Sequence, residues 1–192
     1  MKTPVLAGLI VLGLGAGASL WRNAEIQPEA WVQEQLVQIA WARARNGESG
    51  AKPWPWMESV PVAEISIPRL NQNFIVMRGT SGPVLAVAPG WNERTDAPGS
   101  AGISLVTGHS HTHFDFLREL RVGDTINVAT AGGSREYLVE ELKIVIEPEI
   151  RITQDGQDSV LLLATWLPFA NWQPEGARLV AVARAPGQDP TS

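Results

Sequence analysis

The chain has 192 residues, with 15 Lys and Arg against 20 Asp and Glu, three His and no Cys. Without cysteine there can be no disulfide, thiolate metal site, iron–sulfur cluster or cysteine nucleophile. A net charge of −5 gives no basic footprint for nucleic acid, and 18% charged with 44% hydrophobic residues argues against bulk disorder. The length suits one domain with an appendage.

Residues 1–22 predict an export or anchoring segment. Lys2 precedes an uncharged run over residues 5–20, and Arg22 follows that run. The run is about as long as the roughly 20 apolar residues that cross a bilayer, but AGA at 16–18 is typical of a signal-peptidase site. A retained anchor and a cleaved signal peptide both stay open, with a buried core helix as a further alternative. Anchor and signal peptide alike place the following domain outside the cytoplasm.

Residues 23–57 predict an amphipathic helix and then a lead-in rich in proline and tryptophan. Within 28–45, apolar side chains recur at helical spacing; they are Trp31, Leu36, Ile39 and Ala40. The PWPW sequence at 53–56 is typical of an ordered lead-in strapped onto a core rather than of a proline-rich ligand.

Residues 58–186 predict a mainly β domain. Apolar and polar side chains alternate over 63–67, which is the pattern of a half-buried strand. Further short apolar runs lie at 74–77, 84–88, 103–106, 125–129, 137–146, 160–165 and 179–183. About eight short strands with few helices predict a small β-barrel or sandwich. The composition of the tail at 187–192, GQDPTS, predicts a disordered segment.

All three histidines fall within TGHSHTHFD at 107–115, and three interpretations of them are open. Alternate histidines on an extended segment share a face, so His109, His111 and His113 are candidate zinc ligands of a hydrolase. That site would need Asp or Glu ligands, which show no recognisable spacing. The second interpretation leaves the histidines as exposed loop residues without a task. The third makes one of them a proton-transfer residue at a strand end.

The surroundings of this block resemble the sortase family, most closely the short sortases of Gram-negative bacteria. IPRL at 67–70, GTSG at 79–82 and GHxxTHFxFLRELRxGD at 108–124 occur in the family's order, and Arg178 opens the last strand. The resemblance spans about residues 28–185. It implies an eight-stranded β-barrel, with the N-terminal membrane or signal helix and the short amphipathic helix in front of it.

The resemblance also implies an activity, that of a cysteine transpeptidase acting on exported proteins or peptides with a C-terminal sorting signal. By position, His109 matches the family histidine, and Arg178 matches the arginine that positions substrate and stabilises oxyanion charge. The nucleophilic cysteine should stand at Trp166, next to Thr165, which we assign to the substrate groove. Indole has one N–H donor and no nucleophilic sulfur or oxygen, so Trp166 cannot form an acyl-enzyme.

The sequence therefore predicts a sortase-like pseudoenzyme that binds a peptide or protein partner, without cofactor, metal or nucleic acid. Its predicted location is the inner membrane with the domain facing the periplasm, or outside the membrane if the signal is cleaved. Two alternatives stay open. One is a metal-dependent hydrolase built on His109, His111 and His113. The other is an ordinary sortase in which the cysteine has been replaced.

Overall fold

The computed structural model describes residues 30–146, 158–166 and 176–186. Its eight strands form a closed barrel in the order β1-β2-β3-β4-β7-β8-β6-β5, which confirms the predicted mainly β fold class. The predicted N-terminal segment 1–22 and the tail 187–192 lie outside the described residues. Within the described residues, no helix combines the length and the apolar character needed to cross a membrane.

The secondary structure follows the predicted order. Helix α1 spans Ala30–Arg45, and a short helical turn, α2, spans Gly82–Leu85. The strands are β1 (Pro61–Ile67), β2 (Gln72–Arg78), β3 (Gly90–Trp91), β4 (Gly102–Thr107), β5 (Thr125–Thr130), β6 (Gly133–Ile146), β7 (Ser159–Trp166) and β8 (Ala177–Arg184). Neighbouring strands are antiparallel except for two parallel pairs, β2 with β3 and β4 with β7.

Strand β7 is buried on both of its faces. Leu161 and Leu163 belong to the cluster that fills the barrel interior. Val160, Leu162 and Ala164 belong to a second cluster with side chains of β4 and β8. Because successive side chains of a strand point to opposite faces, the second cluster lies on the outer face of the barrel. A continuous apolar run such as VLLLA is the expected sequence of a strand covered on both faces.

Helix α1 packs on the barrel through a face that only partly matches the predicted one. Val37 and Trp41 are buried in a cluster with Trp54 of the lead-in and Met77 of β2. Ile39, which the helical spacing places on the apolar face, is more than half exposed. The prediction was wrong there because the barrel covers the helix face that carries Val37, Ala40 and Trp41, which leaves Ile39 toward solvent. The lead-in is therefore held through Trp54.

The apolar run at 84–88 does not form a strand. Its first residues belong to α2, in which Pro83 occupies the first turn, where a missing backbone N–H costs nothing. The strand in this part of the chain is β3, only two residues long, and it carries no alternating pattern that could reveal it. It is instead held by backbone pairing with β2 on one side and with β4 on the other.

The IPRL and GD pieces of the sortase-like pattern meet in an ion pair. The Arg69 guanidinium donates through Nε and Nη2 to both carboxylate oxygens of Asp124, and Nη2 also donates to the Glu119 carbonyl oxygen over 2.6 Å. The backbone N–H of Arg121 donates to Asp124 Oδ2 over 2.7 Å. These bonds, led by that from Arg69, lower the pKa of Asp124. Asp124 is thus a structural carboxylate that ties the chain after β1 to the turn before β5.

Candidate functional site

The parallel pairing of β4 with β7 gathers the predicted site residues at one end of the barrel. Thr107 is the register partner of Ala164. His109 follows Thr107 by two residues, and Trp166 follows Ala164 by two. Both residues therefore lie at the carboxyl ends of adjacent parallel strands. Arg178, at the start of β8, is the direct cross-strand partner of Trp166. His109, Trp166 and Arg178 therefore lie at the same end of the barrel.

Trp166 and Arg178 are stacked. The Cζ atom of Arg178 lies 3.8 Å from the centroid of a Trp166 ring. The Trp166 side chain remains 39% exposed, so the stack is reachable from solvent. A guanidinium over an indole face is held by the ring quadrupole, and tryptophan is the best aromatic partner for this contact. An aromatic platform thus stands where the resemblance expects a thiol, and it carries the arginine that matches the family position.

Thr165 lies beneath the site. Its side chain has no exposed surface, and Oγ1 donates to the carbonyl oxygen of Gly108 over 2.7 Å. The Gly108 N–H in turn donates to the Ala164 carbonyl oxygen over 3.2 Å. Thr165 faces the interior, as strand alternation predicts, and its assignment to the substrate groove stays a prediction. Its hydroxyl anchors the residue that precedes His109.

The histidine block is a compact turn rather than an extended segment. The carbonyl oxygen of His109 accepts hydrogen bonds from the backbone N–H groups of Thr112, over 3.3 Å, and Phe114, over 3.0 Å. The face shared by alternate histidines, on which the zinc interpretation depended, is therefore absent, and that inference was wrong. In the ranges the structure describes, no three His, Asp or Glu side chains are grouped to hold a metal ion.

His109 and His111 are exposed, whereas His113 is partly buried. Burial lowers the pKa of His113, the proximity of His109 lowers it further, and Glu34 on α1 partly offsets both effects. His113 is therefore held mainly neutral near pH 7.

The lowered pKa of His113 makes stability depend on pH. The unfolded chain binds a proton at His113 more readily than the folded chain, so the free energy of unfolding should fall as pH decreases below about 6.5. We expect His113→Gln to flatten this dependence in urea titrations between pH 5 and 8. His111→Gln, at an exposed position of the same turn, is the matched control and should keep the wild-type slope. An unchanged slope in His113→Gln would contradict the prediction.

An apolar strip on the outer face leads to Trp166. It consists of the outer-face cluster of β4, β7 and β8: Leu105, Val160, Leu162, Ala164, Val180 and Val182. All six side chains are buried, so only the indole of Trp166, on the same strand face as Ala164, is open to solvent. The assignment of strands from the sequence did not separate their two faces, and the strip was therefore not predicted. The continuous apolar character of 160–164 was the signal that could have revealed it.

A family model describing the sortase domain matches residues 65–185, which is more than half of the chain. The match contains His109, Trp166 and Arg178 in one continuous stretch. No curated protein matches the sequence significantly.

Solved sortases share the fold. Sortase A from Corynebacterium diphtheriae has a TM-score of 0.62 at 22% identity, covering 93% of this chain and 95% of its own. Sortase C from Clostridium perfringens, solved with the C-terminal cell wall sorting motif, has a TM-score of 0.60 at 20% identity, covering 93% and 100%. Sortase C1 from Streptococcus agalactiae has a TM-score of 0.57 at 26% identity, covering 66% and 68%.

The family model and the barrel agree with the motifs read from the sequence. The proton-transfer and substrate-positioning roles of His109 and Arg178 stay predictions. The chain belongs to the sortase family.

Proposed function

We propose that this protein is a pseudoenzyme of the sortase family, which binds a peptide or protein partner without transpeptidation. The stacking of Arg178 on Trp166, at the end of β7, is the observation that carries this proposal. A partner then meets an aromatic and cationic surface at the point where a thiolate would attack in an active member of the family.

The chemistry of the neighbouring side chains supports inactivity. An acyl-enzyme needs a nucleophile that a base can deprotonate and that reaches the scissile carbonyl. The chain contains no cysteine, and indole offers only an N–H donor. The hydroxyls of the two residues that adjoin His109 and Trp166 in the chain are buried, Thr165 beneath the strand and Ser110 within the turn. Neither is placed at the surface where a peptide carbonyl would lie.

The exposed pair suits a peptide that brings an apolar side chain together with a carboxylate. The indole of Trp166 supplies apolar area that solvent can reach, and Arg178 supplies a cation beside it. The Clostridium perfringens sortase C was solved with a C-terminal cell wall sorting motif, which makes such a motif the first ligand to test. The proposed location follows the N-terminal segment: the inner membrane with the domain in the periplasm, or exported after cleavage.

The decisive experiment measures binding and cleavage on one sample. A fluorescein-labelled sorting-motif peptide is titrated with the full chain, with anisotropy reporting binding and mass spectrometry reporting fragments or transfer to an added amine. We expect saturable binding with the peptide intact. Cleavage or transfer that disappears in His109→Ala would overturn the proposal and favour an alternative nucleophile.

Trp166→Ala is expected to weaken peptide binding about tenfold, because a solvent-accessible tryptophan is a typical binding hot spot. Trp56→Ala is the matched control, since Trp56 is 55% exposed and lies in the lead-in. Its affinity should equal that of the wild type. Equal affinities of all three proteins would show that the ligand does not reach Trp166.

The alternative of an ordinary sortase whose cysteine was replaced has a separate test. Trp166→Cys, assayed with the same peptide and amine, would show transfer if the remaining site is intact. Resequencing the source gene at this codon decides whether tryptophan is the natural residue.

A further inference from the structure

A cavity lies at the end of the barrel opposite to His109 and Trp166. β4 and β7 end near His109 and Trp166, and they begin together at the register pair Gly102 and Ser159. Near these beginnings, the turn between β5 and β6, the loop before β4 and the end of β2 enclose about 570 Å³. Its lining includes Val62, Arg78, Trp91, Pro98, Gly99 and Arg135. This volume is within the range of small-molecule sites, which is about 300–1,000 Å³.

The lining of this distal cavity is cationic. Arg78 and Arg135 belong to it, and no carboxylate side chain does. Arg78 has an ion pair with Glu93, outside the lining, at 3.9 Å, and both side chains are more than half exposed. An exposed pair at that separation is screened by water and contributes little. The positive charge of the two guanidiniums is therefore available to an anion entering the cavity.

Arg135 is a fixed wall of the cavity. On β6 it shares the inward face with Tyr137 and Val139, both buried in the barrel interior. Its Nη1 donates to Oγ of Ser159, which is itself buried at the start of β7. An arginine presents five N–H donors in a planar fork, so this single bond orients the fork and leaves donors for a ligand.

A buried hydroxyl lies below the cavity. Tyr137 has no exposed surface, and its hydroxyl makes no hydrogen bond within normal geometry to the described residues. Burial raises the pKa of Tyr137, while the nearby charge of Arg135 and the nearby amide of Gly99 oppose that rise. The hydroxyl is thus close to two groups of the cavity wall.

One wall of the cavity is apolar and held in place. Trp91 Nε1 donates to the Asp96 carbonyl oxygen over 2.9 Å, which fixes the indole ring. Gly99 has φ +84°, and a Cβ there would lie 3.2 Å from Thr130 Cγ2. The loop therefore lies close to the end of β5 at Gly99, and a side chain at position 99 would press against Thr130 and narrow the cavity.

We propose that this distal cavity binds a small organic carboxylate with an apolar body. The carboxylate would lie between the guanidiniums of Arg78 and Arg135, where planar N–H forks match its two oxygens. The apolar body would pack against Trp91, Val62 and Pro98. This site is separate from the stacked pair of Trp166 and Arg178, so it does not depend on the proposed pseudoenzyme function.

The test uses the full chain and two matched probes, N-acetyl-leucine and the neutral N-acetyl-leucinamide. Backbone amide NMR titrations report where each probe binds. We expect the acid to shift the amides of Gly99, Gly132 and Arg135, and the amide probe to leave them in place. Arg135→Gln and Arg78→Gln should each weaken binding of the acid about tenfold, as expected when a charge-assisted bond is lost.

Arg94→Gln is the control variant, because Arg94 is an exposed arginine of the same loop outside the lining. It should bind the acid as the wild type does. Arg135→Lys keeps the charge and should retain more affinity than Arg135→Gln, which separates loss of charge from loss of fold. Absence of binding at millimolar acid, equal binding of the two probes, or shifts at His109 and Trp166 instead would each overturn the proposal.

Discussion

Replacing Phe114 with alanine is expected to lower the free energy of unfolding by about 3–5 kcal/mol, the usual cost of deleting a buried aromatic ring. Phe114 has no exposed surface, and its ring centroid lies 5.7 Å from that of Phe74 and 5.6 Å from that of Phe116. Both contacts are edge-to-face, a favoured geometry for aromatic pairs. The variant would leave a cavity beneath the histidine turn.

Urea denaturation followed by circular dichroism measures the loss. Trp56→Ala removes another large aromatic side chain, but an exposed one, and should change the free energy of unfolding by less than about 0.5 kcal/mol. Phe114→Leu should fall between the wild type and the alanine variant, because it fills part of the cavity. A loss below about 1 kcal/mol in Phe114→Ala would show that the turn does not depend on this ring.

Gly90→Ala is expected to be the second most damaging change. A Cβ at position 90 would lie 2.1 Å from the Gly79 carbonyl oxygen, which is a backbone atom. Gly79 cannot move away easily, because its N–H donates to the Trp91 carbonyl oxygen over 2.9 Å and its φ is +83°. Overpacking usually costs about 1–3 kcal/mol, and a clash with backbone belongs at the upper end of that range.

Gly82→Ala is the matched control for Gly90→Ala. Nothing lies within 4 Å of a Cβ at position 82, which begins the helical turn α2. Alanine there should leave stability unchanged or raise it slightly, since it restricts the unfolded chain. Thermal unfolding of the two variants should therefore differ by several degrees. Equal melting temperatures would show that the contact between β2 and β3 adjusts without cost.

Much of the fold could be predicted from the sequence, because alternating and continuous apolar runs are local properties of a strand. The runs at 63–67 and 160–165 both became strands of the barrel. The two-residue strand β3 could not be predicted, since a strand of that length has no period. The exposure of Ile39 could not be predicted either, because it depends on which face of α1 the barrel covers.

The candidate site was predicted by motif, and its geometry was not. The GH piece identified His109, and the position expected for the cysteine identified Trp166, but only the parallel register of β4 and β7 brings them to one end of the barrel. The turn that separates the three histidines depends on hydrogen bonds to the His109 carbonyl oxygen, which no spacing rule contains. The distal cavity could not be predicted from the sequence, because Arg78 and Arg135 are far apart in the chain. Only the closure of the barrel brings both into the lining of one cavity.

The closure of the barrel bears on how this chain avoids aggregation. Each strand has a neighbour on both sides over at least part of its length, which reduces the backbone that could pair with another molecule. Closure depends on β1 meeting β5 through three register pairs, from Glu64 with Ala129 to Ser66 with Asn127. Before that short seam forms, β1 and β5 are unprotected edges. The hazard of intermolecular strand pairing is therefore greater in the folding chain, and it falls when the seam closes.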